Sequence, residues 1–431
     1  MRGIAICLSL FASQIVAIGV GRADATLTAE RQRRNDALVH EGFNLTHGLG
    51  FDAAGTRMEL WVPPGEPGAP PHQIALWFAS DDGRADERVR FVAADGALLA
   101  SWQAPRGEQR LERTLAPGRY VIEVSGAAGQ GLVGVKGPSI PACALPSRVR
   151  ERPARPQAGY HWPYLLATPS AGHDAHTLLV LPNNTGFASD DVALLRASAS
   201  CDLQRAHAMA DRLGVTLLEP LFPRPTTHDE AEDLYLQALS RAALTTTRPD
   251  VARVDLQLAA MIDDARAQLG PATRRRVLIA GFSAAGSFAN RWAMLHPERV
   301  LASVAGSPGG WPIAPPTEPA LTYPVGVADV ATLTGAPIDL KALRDVDFFV
   351  YIGGDDGNDA VPSRDSFSAA DEQLVMSRFG KTPVARWPAA ERLYEQARLR
   401  ARFQVYPGVA HSIAPEMERD IEAVLAAAIK R

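Results

Sequence analysis

The sequence is short of several features that mark common functional classes. It contains only 3 cysteines in 431 residues and has a formal net charge of −4. It shows no metal-ligand spacing, no phosphate-binding loop, no heptad run and no internal repeat. Nothing in this charge balance suggests nucleic acid or an anionic surface as a partner. We therefore expect no metal and no cofactor.

Long apolar runs are also rare, and the most apolar one lies at the N-terminus. Residues 4–20 follow Arg2, and residues 23–25 form a small-x-small cleavage site. We interpret residues 1–25 as a signal peptide, which predicts a secreted or periplasmic protein with no stable membrane insertion after cleavage. An uncleaved membrane anchor is the alternative, but the run is short and contains polar residues.

Removal of the signal peptide leaves two cysteines, Cys143 and Cys201. Two cysteines in an exported protein are more often paired than free. The prediction is a disulfide that ties a linker to the following domain just before that domain's first helix. Two separate buried thiols are the alternative.

Residues 26–138 have an all-β pattern. Short strand-like segments are divided by Gly, Pro and Asp, at 58–62, 73–79, 87–93, 97–102, 110–115, 119–125 and 131–136. They predict a small sandwich domain, with Tyr120, Ile122 and Val124 pointing inward. The tryptophans suggest either core packing, which is favoured, or a polymer-binding platform; they are Trp61, Trp77 and Trp102.

Residues 139–158 are rich in Pro and Arg and predict a linker. Residues 159–431 alternate between strand and helix patterns. The strands are predicted at 176–181, 215–221, 275–280, 347–352 and 402–407, and the helices at 203–213, 251–269, 284–296 and 416–429. This alternation predicts an α/β domain with a mostly parallel sheet covered by helices on both faces.

The hexapeptide GFSAAG at positions 281–286 is the strongest chemical signal in the sequence. An apolar strand runs into it and an amphipathic helix leaves it. Such a strand-turn-helix elbow holds a serine in a strained conformation, with its hydroxyl clear of the sheet. We predict that Ser283 is a nucleophile.

A serine hydroxyl needs an imidazole to take its proton, and the imidazole needs a carboxylate to orient it. The strand at 347–352 runs into GGDDGND, where Asp356 is the favoured acid, Asp359 the second choice and Asp355 the third. A turn or a weak cation site is the alternative for these acids. The predicted histidine is His411, in the loop between the last strand and the last helix.

Two backbone amides should be positioned to donate hydrogen bonds to the oxyanion. One is that of Ala284, directly after the nucleophile. The other is expected from the loop at 182–186, where Asn184 is the first choice and Thr185 the second. A simple Asn/Gly turn is the alternative for this loop.

From about residue 160 to the C-terminus the chain resembles the α/β-hydrolase superfamily, and within it the polyhydroxybutyrate-depolymerase and feruloyl-esterase-like group. The resemblance rests on GFSAAGSFANRWAMLHPERV, VLASVAGSPGGW, GGDDGND and YPGVAH. The chain departs from that group at Pro182 and Asn183, where a His-Gly pair is common, and at Ala285, where glycine is favoured.

The fold class expected is therefore an α/β-hydrolase fold preceded by a small all-β sandwich. The expected function is an exported serine hydrolase that cleaves carboxylic esters, of polyester or short-chain/aryl type, through an acyl-enzyme. Residues 224–248 are expected to form part of a cap over the site. The alternatives are a serine peptidase or amidase, a non-catalytic binding protein on the same scaffold, and a polymer-binding module with an incidental enzyme.

Overall fold

The computed structural model describes residues 44–51, 56–62, 72–80, 87–104, 109–125, 129–136, 140–142, 148–170, 176–185, 189–225, 234–316 and 320–431. The predicted signal peptide and Cys143 lie outside these residues. The chain divides into two compact units, formed mainly by Met1–Ala144 and by Leu145–Ser412 with Glu416–Arg431.

The first unit consists of β-strands in its described part. They are β1 (Asn44–Phe51), β2 (Thr56–Val62), β3 (His72–Ser80), β4 (Glu87–Ala93), β5 (Leu98–Ala104), β6 (Gln109–Leu115), β7 (Gly118–Ser125), β8 (Gly129–Lys136) and β9 (Ile140–Ala142). All seven predicted strands are present. β1 and β9 were not predicted.

These strands form two antiparallel sheets, in the orders β1-β8-β3-β6 and β5-β4-β7-β2-β9. Both sheets contribute to one apolar cluster, which includes Leu60 and Ile122 from the five-stranded sheet and Leu76 and Val133 from the four-stranded sheet. The predicted inward residues Tyr120, Ile122 and Val124 are all buried there. The all-β expectation is confirmed.

The tryptophans of this unit differ in exposure. Trp77 is buried, as the core-packing interpretation expects. Trp61 is partly buried, and the guanidinium of Arg119 lies 4.8 Å from its ring centroid. The side chain of Trp102 lies outside the described residues.

The second unit is built on one sheet of eight strands. They are β10 (Val149–Arg152), β11 (Tyr164–Ala167), β12 (Leu178–Val180), β13 (Thr216–Pro220), β14 (Val277–Phe282), β15 (Val300–Gly306), β16 (Asp347–Gly353) and β17 (Arg400–Tyr406). Their order in the sheet is β10-β11-β13-β12-β14-β15-β16-β17. β11 runs antiparallel to both neighbours, and all pairs from β13 to β17 are parallel. This is the predicted α/β-hydrolase fold.

Ten α-helices of the described residues accompany this sheet. They are α1 (Val192–Leu213), α2 (Arg241–Thr245), α3 (Val254–Leu269), α4 (Ala284–Leu295), α5 (Val330–Thr334), α6 (Leu340–Leu343), α7 (Ala360–Ser363), α8 (Ala369–Arg378), α9 (Pro383–Gln396) and α10 (Pro415–Ile429). Every residue of β12, β13 and β14 is buried. Strands buried on both faces are typical of a parallel sheet covered by helices on each side.

Two strands lie within the predicted linker at 139–158, β9 (Ile140–Ala142) and β10 (Val149–Arg152). β9 pairs with β2 at the edge of a sheet of the first unit, and β10 pairs with β11 at the edge of the eight-stranded sheet. An edge strand tolerates proline and charged side chains because one of its sides faces no partner strand. The Pro and Arg composition that predicted a linker is therefore compatible with pairing.

The first helix of the second unit is longer than predicted. It begins at Val192, where the carboxylate of Asp191 accepts a hydrogen bond from the amide of Ala193. Cys201 therefore lies within α1 and not before it. Its predicted disulfide with Cys143 stays a prediction.

Among the described residues, no helix has both the length and the apolar character required to span a membrane.

Candidate active site

Ser283 occupies the turn between β14 and α4. Its backbone angles are φ 59° and ψ −126°, a left-handed conformation that is unfavourable for a residue with a side chain. The amide of Ser283 donates a 2.9 Å hydrogen bond to the carbonyl of Gly306 in the neighbouring strand. The surrounding structure thus maintains the strain that the elbow motif predicts.

The glycines of the elbow are required by close backbone contacts. A Cβ atom on Gly281 would overlap the carbonyl oxygen of Ala285, and one on Gly286 would lie 2.5 Å from the carbonyl oxygen of Gly306. Ala285 itself has room for its methyl group, which is buried. The departure from glycine at position 285 is therefore compatible with the elbow.

His411 and Asp356 form the second part of the site. Nδ1 of His411 lies 2.9 Å from Oδ2 and 3.1 Å from Oδ1 of Asp356. Burial alone would raise the pKa of the Asp356 carboxyl, but the hydrogen bond and charge of His411, with the amide of Asn358, hold this pKa below its usual value. Asp356 is therefore an anion beside the imidazole at neutral pH.

Close contact between two loops positions this pair. The amide of Gly354 donates to the carbonyl of Tyr406 at 2.7 Å, and the amide of Asp355 donates to the carbonyl of Val409 at 2.9 Å. A Cβ on Gly353 would overlap the carbonyl oxygen of Val409. The glycine at the end of β16 thus lets the histidine loop pass directly over the acid loop.

The other two acids of GGDDGND have different surroundings. Asp355 is exposed. Oδ1 of Asp359 accepts hydrogen bonds from the guanidinium of Arg386 at 2.8 Å and from the amide of Val361 at 3.1 Å. Of the three candidates, the structure brings Asp356 to His411.

The imidazole of His411 also lies next to the nucleophile elbow. Its ring centroid is 4.7 Å from that of Phe282, the residue before Ser283. Its Nε2 atom is buried and has no hydrogen-bond partner among the described residues. One ring nitrogen is thus occupied by the acid, and the other remains available to accept a proton.

The candidate oxyanion loop, predicted at 182–186, follows β12, which lies beside β14 in the sheet. Because the two strands are parallel, this loop and Ser283 lie at the same edge of the sheet. Asn183 anchors the loop, since its side chain donates to the carbonyl of Phe222 at 2.9 Å and accepts from the amide of Phe222 at 3.1 Å.

The candidate oxyanion donors differ in whether their backbone amides already donate a hydrogen bond. Ala284 is the first residue of α4, so its amide has no acceptor within the helix. The amide of Thr185 donates to Oε1 of Gln237 at 2.9 Å, which disfavours the second choice for this role. Asn184 is buried, and its backbone follows directly from the anchored Asn183.

The predicted cap segment contacts the candidate oxyanion loop through Tyr235. Its hydroxyl lies 3.3 Å from Oδ1 of Asn184, and the guanidinium of Arg224 lies 3.7 Å from its ring centroid. Residues 226–233 lie outside the described residues. The cap over the site stays a prediction.

A second histidine–carboxylate pair lies in the same unit. Nε2 of His296 lies 3.0 Å from Oδ2 of the buried Asp255, which Arg253 also contacts at 2.8 Å. The pair joins the end of α4 to the start of α3. It therefore serves packing between two helices.

Three contributors to the site were not found from the sequence. They are the Asn183 anchor, the Arg386 contact to Asp359, and Ser307, which follows β15 and whose side chain helps to hold the pKa of Asp356 below its usual value. Each depends on residues distant in the chain, so no local sequence signal marks it.

No family model and no curated protein matches the chain. Solved structures with a similar fold include TT1662 from Thermus thermophilus, at 20% identity over 66% of this chain and 99% of that chain, with a TM-score of 0.36. A ferulic acid esterase matches at 15% identity over 67% and 99% of the two chains, with a TM-score of 0.37. An Arabidopsis thaliana protein, SOBER1, matches at 18% identity over 41% and 62%, with a TM-score of 0.25.

The chain thus spans less than two thirds of the length of SOBER1. At these identities and TM-scores the likenesses carry nothing about the reaction. The chemistry follows from the residues of the site itself. Among the described residues, no group of three or more His, Cys, Asp or Glu side chains is arranged to hold a metal ion.

Proposed function

We propose that this protein is a serine hydrolase that cleaves carboxylic esters through an acyl-enzyme. One observation carries the proposal: a histidine hydrogen-bonded to a buried carboxylate packs against Phe282, the residue before a serine held in a strained strand-turn-helix elbow. The three residues follow each other in the chain order of α/β-hydrolase triads, Ser283, Asp356 and His411.

The roles follow from the ring nitrogens of His411. Because Asp356 accepts a hydrogen bond from the Nδ1–H group, Nε2 is the atom that takes the proton from the Ser283 hydroxyl during attack on the ester carbonyl. The imidazolium that forms then lies against the Asp356 carboxylate. His411 next gives this proton to the departing alcohol, and a water molecule releases the acyl group by the same route.

The tetrahedral intermediate places negative charge on the former carbonyl oxygen. The amide of Ala284, at the N-terminus of α4, is one proposed donor to it, and the amide of Asn184 is the other. The amide of Ser283 is not proposed, because it already donates to Gly306.

The test combines labelling with turnover. A fluorophosphonate probe should label Ser283 alone, and Ser283→Ala should lower kcat on a short p-nitrophenyl ester on the order of 10⁴-fold or more. Ser303→Ala is the matched control, because Ser303 is a buried serine in the adjacent strand whose hydroxyl donates to the carbonyl of Ala289. Labelling of another serine would refute the assignment.

The bond cleaved and the substrate class need a separate comparison. We propose polyester or short-chain and aryl esters as substrates, with peptide amides as the alternative. Measured kcat/KM values on p-nitrophenyl esters, feruloyl esters, polyhydroxybutyrate and peptide amides would rank them. A preference for amides would favour the peptidase alternative.

Export is part of the proposal. We infer that cleavage after Ala25 yields a mature protein that starts at Thr26 in the periplasm or outside the cell. Sequencing the N-terminus of the protein from each cell fraction tests this. Intact Met1 in a membrane fraction would contradict it.

A further inference from the structure

Asp359 closes the acid loop at its C-terminal end. Its carboxylate caps α7 by accepting from the amide of Val361 at 3.1 Å, and its carbonyl accepts from the hydroxyl of Ser363 at 3.0 Å. The carboxylate also accepts from Nη1 of Arg386 on α9 at 2.8 Å. The position of Asp359 is therefore set by its own helix and by a second, distant helix.

Arg386 is held as tightly as its partner. Its side chain has an exposed fraction of 0%. Nε donates to the carbonyl of Gly380 at 2.8 Å, and Nη1 donates to the carbonyl of Gly310 at 3.2 Å as well as to Asp359. A guanidinium with three fixed acceptors in a fully buried site has one orientation.

Gly310 brings a third segment to this contact. It follows β15, has a φ of 79°, and a Cβ on it would overlap Oδ1 of Asp359. The backbone after β15 is thus packed directly against the Asp359 carboxylate. Arg386 therefore joins α9, the loop after β15 and the loop after β16.

The catalytic acid lies close to this junction. Asp356 and Asp359 are separated by Gly357 and Asn358, and the amide of Asn358 donates to Oδ1 of Asp356 at 2.9 Å. A displacement of Asp359 would move this amide, and with it the carboxylate that faces Nδ1 of His411. We propose that Arg386 is a positioning residue, which orients Asp356 against His411 through Asp359 and the Asn358 amide.

A purely stabilising role explains the pair less well. Burial removes both charges from water, so a buried ion pair adds little net stability compared with an apolar pair of similar volume. A pair of this kind does fix geometry, because neither side chain has another orientation in which its charge is paired. The inference rests on the proposed triad.

The experiment compares Arg386→Met, Arg386→Lys and Asp359→Asn with the wild-type protein. The rate on a soluble ester is divided by the concentration of active sites, counted by phosphonate titration, so unfolded protein does not lower it. Arg386→Met and Asp359→Asn should each lower kcat per site by about 10- to 100-fold, the loss typical of small misplacements. KM should stay within about twofold.

Two further readouts report on the acid itself. The acidic limb of the kcat/KM profile should move to lower pH in Arg386→Met, because a displaced carboxylate stabilises the imidazolium less. The downfield ¹H resonance of the His411 Nδ1 proton should weaken or shift. Arg386→Lys should recover part of kcat. Its ammonium group keeps a positive charge beside the Asp359 carboxylate, although it does not reach all three acceptors.

Arg253→Met is the matched control. It also breaks an ion pair to a buried carboxylate, that of Asp255, but this carboxylate contacts His296 and not the acid loop. It should lower the melting temperature and leave kcat per site, the pH profile and the Nδ1 resonance unchanged.

The inference is overturned if Arg386→Met behaves like Arg253→Met. If Arg386→Met does not fold, an Asp359→Asn variant with wild-type kcat, pH profile and resonance overturns it equally. The Nδ1 resonance does not require turnover, and labelling of the wild-type protein tests Ser283 separately. Failure of the proposed function is thus distinguishable from failure of this inference.

Discussion

The ring of Phe282 lies against the imidazole of His411, with 4.7 Å between centroids and 44° between ring planes. Phe282 is itself fully buried and lies 6.4 Å, centroid to centroid, from the ring of Tyr351. The residue before Ser283 thus supports the ring of the proposed general base.

Replacing this ring tests its contribution. Phe282→Leu should keep the fold, at a cost of roughly 1.5 kcal/mol or less, because the volume is nearly conserved. We expect kcat per titrated site to fall by about tenfold, since the imidazole loses one side of its support. Phe348→Leu is the control, because Phe348 is a buried aromatic residue near the start of β16, two strands away from β14. Equal kcat in both variants would contradict the prediction.

Asp356→Asn should lower kcat by about 10³- to 10⁴-fold, because the amide no longer holds the correct tautomer of His411. The loss of kcat in Asp359→Asn should be at least about tenfold smaller than the loss in Asp356→Asn. Asp359→Asn should instead cost about 3 to 5 kcal/mol in the free energy of unfolding, since it leaves the buried Arg386 without its anionic partner. Turnover per titrated site and denaturant unfolding of both variants measure this. A reversed order of the two kcat values would assign the acid to Asp359.

Glu219 on β13 has an exposed fraction of 0%, and neither of its carboxyl oxygens has a hydrogen-bond partner among the described residues. Burial first, and then the charge of Asp202, raises its pKa well above the usual value of 4.5. A carboxyl with a raised pKa in the folded state contributes stability at low pH. That contribution is lost as the pH rises above the unfolded-state value towards the folded-state value.

Glu219→Gln removes this titration and keeps the shape. We expect the variant to gain stability over the wild-type protein as the pH rises above about 5, by up to about 1.4 kcal/mol per pH unit. Urea unfolding between pH 5 and pH 9 measures the difference. Glu395→Gln, at an exposed position on α9, should show no such gain in stability with pH. A difference that does not grow with pH would contradict the buried-proton explanation.

Of the two cysteines in the predicted disulfide, the structure describes Cys201. Cys201 is buried on α1. A bond to Cys143 should stabilise the mature protein by roughly 3 to 5 kcal/mol in the chain-entropy model. We expect no free thiol in the denatured mature protein without reductant, and a lower melting temperature for Cys201→Ser. Two free thiols per chain would refute the bond.

The sequence predicts best where one local pattern contains the whole requirement. The turn at Ser283 needs a buried strand, small neighbours and a helix, and all three lie within twenty residues of each other. Asp356 could be ranked above Asp359 by its distance from Gly353. Its distinguishing feature, the contact to His411, is a property of the fold and not of GGDDGND.

The sequence predicts poorly where pairing between distant segments decides the structure. β10 contains two arginines and a glutamate, so only its register with β11 identifies it as a strand. The guanidinium of Arg386 reaches Asp359 across 27 positions. No periodicity or turn signal encodes such a contact.

The close backbone packing at Gly281 and Gly286 determines how this site can be changed by directed evolution. Neither position admits even a methyl group, because the space that it would need is occupied by the main chain of α4 and β15. Randomising the codons for Gly281 and Gly286 would therefore fill a library mostly with unfolded variants. Diversity is better directed to the side chains of the loops around the site, where substitutions that change substrate preference destabilise the fold least.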